Sequence, residues 1–552
     1  MHRVLRPLAL ALAAAATFPA YAMTDAELDA IVAQRLHGDR TGACFAVAVI
    51  DDSVARSFAC ADATGSPRIG PNSAFEIGSV SKTLTSTLLA DLVERGQADL
   101  DDPLADYLPQ GTFVPEFEGA PIRLRHVVTH TSGLPALPPG GLVNDMADPY
   151  ATLTPQALLD ALSDVTLASA PGTRFEYSNY ASMLLSYAVA RRAGMDFDAL
   201  LRERVFTPLA MDGAHLSAPP TGVRTATGHT PNAQPASAWH FDPALAGVGG
   251  VRATLDDLVH YVQAHLGQRP SPLDAALART RQPVDTASGQ PMAMNWMLAP
   301  MEGRTVHAHE GGTGGFSSFV AFDTDRKRGV VVLSDTALTS VGGLGSLGLH
   351  LLDPRVPLGA PRKATQPPAE LLDALAGTWQ LQGGPRMEVR RKGDALEIQA
   401  PGQPAFALGY DDAGDFYPLA FDALLRPQRA ADGTYRFTWH QGGGVMAARR
   451  VEAAGNGADA SMPIPPPTPA QLAAYAGDYP LMPSMTLNVR VDGDTLFAQA
   501  TGQGAFPLAP VSTDVFEAAE YGIEIRFERN DAGEVTALAL HQGGQILRGA
   551  RR

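Results

Sequence analysis

Ser79 and Lys82 stand three residues apart in the stretch Ser79-Val80-Ser81-Lys82. Behind them Leu84, Leu88, Leu89 and Val93 recur at helical spacing and Gly96 supplies a stop, which predicts a helix over 79–95. A separation of three puts both side chains on one helix face, a turn apart. The helix N-terminus adds positive potential and free backbone N–H groups. A serine hydroxyl is a poor nucleophile until a neighbouring base accepts its proton. Lysine serves as that base only if its pKa falls from about 10.4 towards 7, roughly 4 to 5 kcal/mol against the charged form. Burial and neighbouring positive charge are the means. The same residues also suit an ordinary capped, solvated helix end.

Two further groups could complete such a centre. Tyr177-Ser178-Asn179 lies just ahead of a second predicted helix over 180–192, closed by Gly194. Alternation along an extended loop would turn Tyr177 and Asn179 to the same side. The phenol could then relay a proton to a leaving group while the amide donates to a substrate carbonyl. A buried tyrosine beside a helix N-cap asparagine accounts for the same residues. His309-Glu310-Gly311-Gly312-Thr313-Gly314-Gly315 runs into an apolar strand at 319–322, and its glycines let a substrate or another backbone approach closely. A backbone N–H from this stretch, paired with that of Ser79, would form an oxyanion hole, where one donor is worth about 3 to 4 kcal/mol.

Other chemistries have less to stand on. No Gly-x-Ser-x-Gly elbow is present, which disfavours the lipase type of serine centre. His307-Ala308-His309-Glu310 spaces two imidazoles on one side of a strand, but no third ligand motif accompanies it, so neither a metal nor a cofactor is expected. A net charge of −16 argues against nucleic-acid binding, which needs a basic footprint. The two cysteines, Cys44 and Cys60, flank a predicted hairpin: 45–50 is apolar, Asp51-Asp52-Ser53 is turn-like, and 54–59 could return. Equidistant from Asp52, they could face each other as a disulfide or be two unrelated buried thiols. Neither looks catalytic.

The elements that must position these groups belong to a chain of 552 residues, too long for one hydrophobic core. Its N-terminus reads as a signal peptide: Arg3 and Arg6, an apolar run over 8–16, then Ala20-Tyr21-Ala22. That run is too short to span a bilayer, and no later segment is long and apolar enough. Cleavage after Ala22 and a periplasmic or secreted protein are expected. Proline-rich stretches at 353–368 and 455–469 read as extended linkers. The segments that follow them repeat: Gly377-Thr378-Trp379 matches Gly477-Asp478-Tyr479, Gly393-Asp394 matches Gly493-Asp494, and Gly402-Gln403 matches Gly502-Gln503, each 100 residues on. His440-Gln441-Gly442-Gly443 matches His541-Gln542-Gly543-Gly544 at 101. Short alternating stretches and Gly-Asp or Asp-Gly turns in each copy predict two small antiparallel β-barrels. The expected division is a signal peptide at 1–22, a main domain at 23–355, a linker at 356–368, a barrel at 369–454, a linker at 455–469 and a second barrel at 470–552. The main domain mixes helices with strands at 319–322 and 330–333 around a charged turn, an α/β arrangement of helices on an antiparallel sheet.

In this order and at these separations, the three groups resemble the active-site pattern of the serine β-lactamase, penicillin-binding-protein, DD-peptidase and esterase superfamily. The resemblance covers about 45–333. It takes in Leu124-Arg125-His126, Thr129-His130-Thr131-Ser132-Gly133-Leu134-Pro135, Phe206-Thr207-Pro208-Leu209-Ala210-Met211 and Ala246-Gly247-Val248-Gly249-Gly250. It implies a helix-flanked antiparallel sheet with an inserted all-helical region. It also implies that Ser79 acylates, that Lys82 and Tyr177 share general base and acid work, that Asn179 orients the substrate, and that Ser79 and Gly312 supply the oxyanion N–H groups. The appended barrels look like the lipocalin-like barrels of some D-aminopeptidases of this superfamily. One departure bears on substrate. Where many penicillin-recognising members carry Lys-Thr-Gly, this chain has His309-Glu310-Gly311, and a neutral imidazole holds a carboxylate less well. His309 and Gly311 remain candidate substrate contacts. The expectation is hydrolysis of small peptides or amides, with a D-configured residue. The alternatives are an esterase for small acyl esters, a β-lactamase-like hydrolase, or a non-catalytic penicillin-binding or sensor module.

Overall fold

Apolar residues after Cys44 form a strand, Cys44–Ile50, that returns as Val54–Cys60 with Cys44 opposite Cys60, and a disulfide joins the two. This is seen in a computed structural model that describes residues 22–61, 68–143, 145, 147–382, 384–401, 403–421, 423–430, 433–441, 444–451, 468–482, 485–493, 495–500, 505–518, 523–530, 533–542 and 545–552. The signal-peptide segment up to residue 21, most of the second proline-rich stretch, and the repeat positions Gly402, Gly442, Gly443, Asp494, Gly502, Gln503, Gly543 and Gly544 lie outside the described residues.

The hairpin is one edge of a six-stranded antiparallel sheet. Its order is Val54–Cys60, Cys44–Ile50, Arg328–Ser334, Ser317–Asp323, Arg304–Gly312 and Met297–Met301. The predicted strands at 319–322 and 330–333 are the cores of two neighbours, with Val320 opposite Val331. Every residue of Cys44–Ile50 is buried, because both faces of the sheet are covered. Cys44, Ala46, Ala48 and Ile50 point into one core; Phe45, Val47 and Val49 point into the other. The second core is closed by the helices Asp25–Leu36 and Gly345–Leu352, the first by Ser81–Glu94 and Leu255–His265.

The central helix differs from expectation at its start. Ser79 lies in a 3₁₀ turn, Gly78–Val80, and the α-helix begins at Ser81. The cause is a close approach from a distant strand: Gly78 has φ +49°, and a Cβ there would meet the Gly312 nitrogen at 2.6 Å. From Ser81 to Leu92 this helix is buried all round, so its polar residues are paired inside. Thr85 Oγ1 donates to the Gly247 carbonyl (3.0 Å), Thr87 Oγ1 bonds the Tyr261 hydroxyl (3.1 Å), and Asn295 Nδ2 donates to Ser86 Oγ (2.8 Å). The region inserted between the hairpin and Met297 is mostly helical. It also holds a small three-stranded sheet of Ser73–Glu76, Arg224–Thr225 and Arg252–Ala253.

Both C-terminal copies are eight-stranded and antiparallel. The first runs from Gly377–Leu381 to Gly444–Val451 and closes into a barrel, with Thr378 paired to Val451. The second runs from Gly477–Met482 to Gln545–Ala550, with Gly549 packed on the Pro480 carbonyl across its first and last strands. The duplication extends to side-chain detail. Trp379 Nε1 donates to the Leu375 carbonyl and the Tyr479 hydroxyl to the Tyr475 carbonyl, each at 2.8 Å. Arg450 and Arg551 likewise cap the Ala376 and Ala476 carbonyls beside Gly377 and Gly477.

Candidate active site

The 3₁₀ turn leaves Ser79 partly exposed while its neighbours Gly78 and Val80 are buried. One turn on, Lys82 is 1% exposed, with Nζ 2.8 Å from Ser79 Oγ and donating to the Val248 carbonyl at 2.7 Å. Burial pushes its pKa well below the ordinary lysine value. An uncharged amine can donate to Val248 and still offer its lone pair to the serine hydroxyl. Gly247 in the adjoining Ala246–Gly250 stretch is required by packing on the central helix, since a Cβ there would meet Thr85 Oγ1 at 2.4 Å.

Tyr177 comes in from the loop ahead of the Asn179–Ala193 helix, and its ring centroid is 5.0 Å from Lys82 Nζ. Burial raises the phenol's pKa, with a smaller opposing effect from hydrogen bonding to Ser79, so the group stays protonated. Asn179 is the first residue of that helix; the N-cap is Ser178, whose hydroxyl accepts from Ala181 N–H. Asn179 Nδ2 donates to the Tyr150 hydroxyl (3.2 Å), while Oδ1 is buried without a protein partner.

On the opposite wall, the Arg304–Gly312 strand reaches the Ser79 turn backbone to backbone. A Cβ on Gly311 would lie 2.1 Å from the Ile77 carbonyl, and Ser318 Oγ donates to the same carbonyl at 2.7 Å. Glycine at 78 and 311 therefore sets how closely the two segments approach. His309 is 3% exposed, and burial, with nearby Lys82 adding to it, lowers its pKa to about 3. Glu310 points the other way: its Oε1 accepts the Leu344 N–H at 2.9 Å. His307 is not paired with a metal-binding partner; its Nε2 meets the Arg281 carbonyl at 2.9 Å and its ring stacks on Phe322. Among the described residues no group of three or more His, Cys, Asp or Glu could hold a metal ion.

Several residues at this site were assigned no role from the sequence, although His130 lies in the 129–135 stretch that carries the resemblance. His130 stacks on Tyr177 with centroids 4.2 Å apart, and its Nδ1 accepts the Ser178 N–H at 3.3 Å. It holds φ +54°, unusual for a residue with a side chain. Tyr150, Trp239 and Phe241 form an aromatic group beside Asn179, with Tyr150 stacked on Phe241 at 4.8 Å and edge-on to Trp239 at 5.6 Å. Only their long-range packing brings them here.

A family model described as Beta-lactamase matches residues 28–343, more than half of the chain. The chain belongs to the β-lactamase family. The family region is similar to the D-alanyl-D-alanine-carboxypeptidase/endopeptidase AmpH of Escherichia coli K12, with 30% identity over 284 residues, 49% of this chain and 72% of that protein. It is similar to penicillin-binding protein 4 of Amycolatopsis lactamdurans at 30% over 342 residues, 57% of this chain and 86% of that one. A solved structure, the β-lactamase/D-alanine carboxypeptidase of Yersinia pestis complexed with citrate, aligns with 27% identity over 56% of this chain and 93% of that one, at a TM-score of 0.48. Residues 462–551 match a domain of unknown function, DUF3471. The β-lactamase-family region makes this protein a serine hydrolase.

Proposed function

We propose that Ser79 is the acylated nucleophile of an exported hydrolase that cleaves small peptides or amides, with preference for a D-configured residue. The observation that carries this reading is the 2.8 Å contact between Ser79 Oγ and a lysine amine whose pKa burial pushes well below its ordinary value. Ser79 Oγ attacks the carbonyl carbon as its proton passes to Lys82 Nζ. The Tyr177 phenol protonates the leaving nitrogen as the C–N bond breaks and regains a proton from Lys82. Water then releases the acyl group by the reverse route. The backbone N–H groups of Ser79 and Gly312 steady the oxyanion, and Asn179 orients the substrate amide. The likeness to a D-alanyl-D-alanine carboxypeptidase supports the D-residue preference.

An esterase is the second reading, favoured by the neutral state of His309: it supplies no fixed positive charge for a substrate carboxylate. Export is supported by the N-terminal pattern and by the Cys44–Cys60 disulfide. No helix among the described residues is long and apolar enough to cross a membrane. Labelling with a fluorophosphonate or a penicillin, followed by mass mapping, should modify Ser79 and fail in Ser79→Ala. Turnover of D-alanyl amides, L-alanyl amides and short nitrophenyl esters then separates the two readings. Inert D-amides beside rapidly hydrolysed esters would replace the peptidase by the esterase.

A further inference from the structure

The segment that carries Trp239 and Phe241 runs from the first barrel to the nucleophile. At its far end Asn232 Nδ2 donates to the carbonyls of Phe421 (2.8 Å) and Pro418 on the barrel. Asn232 Oδ1 accepts from Arg40 Nη1 at 3.3 Å. Arg40 in turn pairs with the barrel's Asp411 (2.9 Å) and lies over the Tyr417 ring at 3.4 Å. On the stretch that leads into the Asn232 turn, His229 N–H donates to the carbonyls of Gly315 (3.1 Å) and Asp335 (2.9 Å), and the Gly228 backbone lies against Gly315. At the near end Trp239 N–H donates to Glu76 Oε1 (3.1 Å), and its indole packs on Gly314, two residues past Gly312. Phe241 reaches the Gly249 loop that faces Gly78. One wall of the site is thus an aromatic surface pinned at one end by a separate domain.

We infer that the first barrel is a working part of the substrate pocket: Asn232 is a positioning residue through which the docked barrel holds Trp239, and Trp239 is a specificity-determining residue that favours an apolar or aromatic side chain next to the scissile bond. Tyr150, whose hydroxyl accepts from the Asn179 amide, and Trp239 and Phe241 packed on it offer contact area without charge, and His309 adds none. An acyl residue with a bulky apolar side chain gains from that wall, whereas a methyl side chain barely reaches it.

The inference rests on Ser79 being the nucleophile, and fluorophosphonate labelling of the wild-type chain tests that point by itself. The specificity test uses full-length protein with D-phenylalanyl and D-alanyl nitroanilides, plus the corresponding nitrophenyl esters if the amides are inert. Trp239→Ala should lower the phenylalanyl-over-alanyl ratio of kcat/KM by about tenfold, chiefly through KM. Asn232→Ala should lower the same ratio by several-fold, with its effect on KM rather than kcat. The double variant should do no worse than Trp239→Ala, because the two changes remove one interaction. Should Asn232→Ala not fold, Asn232→Ser and Arg40→Lys probe the same joint, with thermal melting as the control. A ratio unmoved by Trp239→Ala, or losses that add in the double variant, would overturn the inference while leaving Ser79 labelling intact.

Discussion

Two clusters of ionisable side chains among the described residues are stabilised in opposite ways. At the candidate active site, Lys82, His130, His309 and Tyr177 are brought together without a salt bridge, and burial is the leading influence on each. In each, burial disfavours the charged form. At the joint with the first barrel, Arg40, Arg362 and Arg426 interlock with Asp411 and Asp415 at 2.8 to 3.0 Å, each guanidinium facing a carboxylate. Burial without a counter-ion costs the charge; burial with one keeps it. The first arrangement suits the base proposed for Ser79, the second a rigid joint.

The largest effect should follow from giving the first cluster a charge it cannot lose. Lys82→Arg places a guanidinium beside Ser79 and should cut kcat/KM by about 10³-fold or more, as should Lys82→Met, measured with a short nitrophenyl ester. In the wild type, activity should rise with pH as the last Lys82 ammonium is lost, at a midpoint well below the free-lysine value. It should fall only above the ordinary phenol range, since Tyr177 is raised. The linkage sign is also testable. The unfolded chain holds a proton on Lys82 that the folded chain releases, so this residue destabilises the fold more as pH falls from about 10.4. Lys82→Met should therefore raise the melting temperature more at pH 6 than at pH 9.

The converse change breaks the second cluster. Asp411→Asn leaves Arg40 and Arg362 short of a buried partner and should destabilise the joint by about 3 to 5 kcal/mol in chemical denaturation. The acid limb of the activity profile should stay where it is, because none of these charges touches Lys82. A profile that moved with Asp411 would show the two clusters to be electrostatically one.

Much of this is legible in the sequence alone, for reasons that differ between the clusters. The hairpin register came from symmetry about Asp52, and Cys44→Ser, which opens a covalent loop of 16 residues, should cost about 3 kcal/mol of stability in a melt. The Ser79 and Lys82 spacing, the Gly194 stop and the barrel repeat are short-range patterns, and the chain displays them openly. The 3₁₀ turn was not legible, because it answers to Gly312 from a distant strand. His130, Val248 and Trp239 act through positions 47 to 166 residues away from Tyr177, Lys82 or Glu76, and the Asp411 joint spans 371 residues to Arg40. Hydrophobic period and turn chemistry carry no information at that range.

Glu310 gives the finest test of the comparison, because it sits one residue from His309 and belongs to neither cluster. Strand alternation alone could not say whether it faced a substrate. Its Oε1 in fact accepts the Leu344 N–H at the start of the Gly345–Leu352 helix, and its oxygens crowd the space where a Cβ on Gly343 would stand. Burial raises its carboxyl pKa, opposed by the bonds from Leu344 and Gly345. A raised acid binds its proton more tightly in the folded state, so Glu310 weakens the fold as pH climbs through its titration. Glu310→Gln keeps a carbonyl acceptor for the helix N-terminus and removes the desolvated charge. Its melting temperature should match the wild type at pH 4 and equal or slightly exceed it at pH 8, a difference under about 1 kcal/mol. The kcat/KM for a substrate bearing a carboxylate should not change. An improvement with that substrate alone would mean that the Glu310 charge is felt in the pocket after all, and that the neutrality of the first cluster extends less far than its geometry implies.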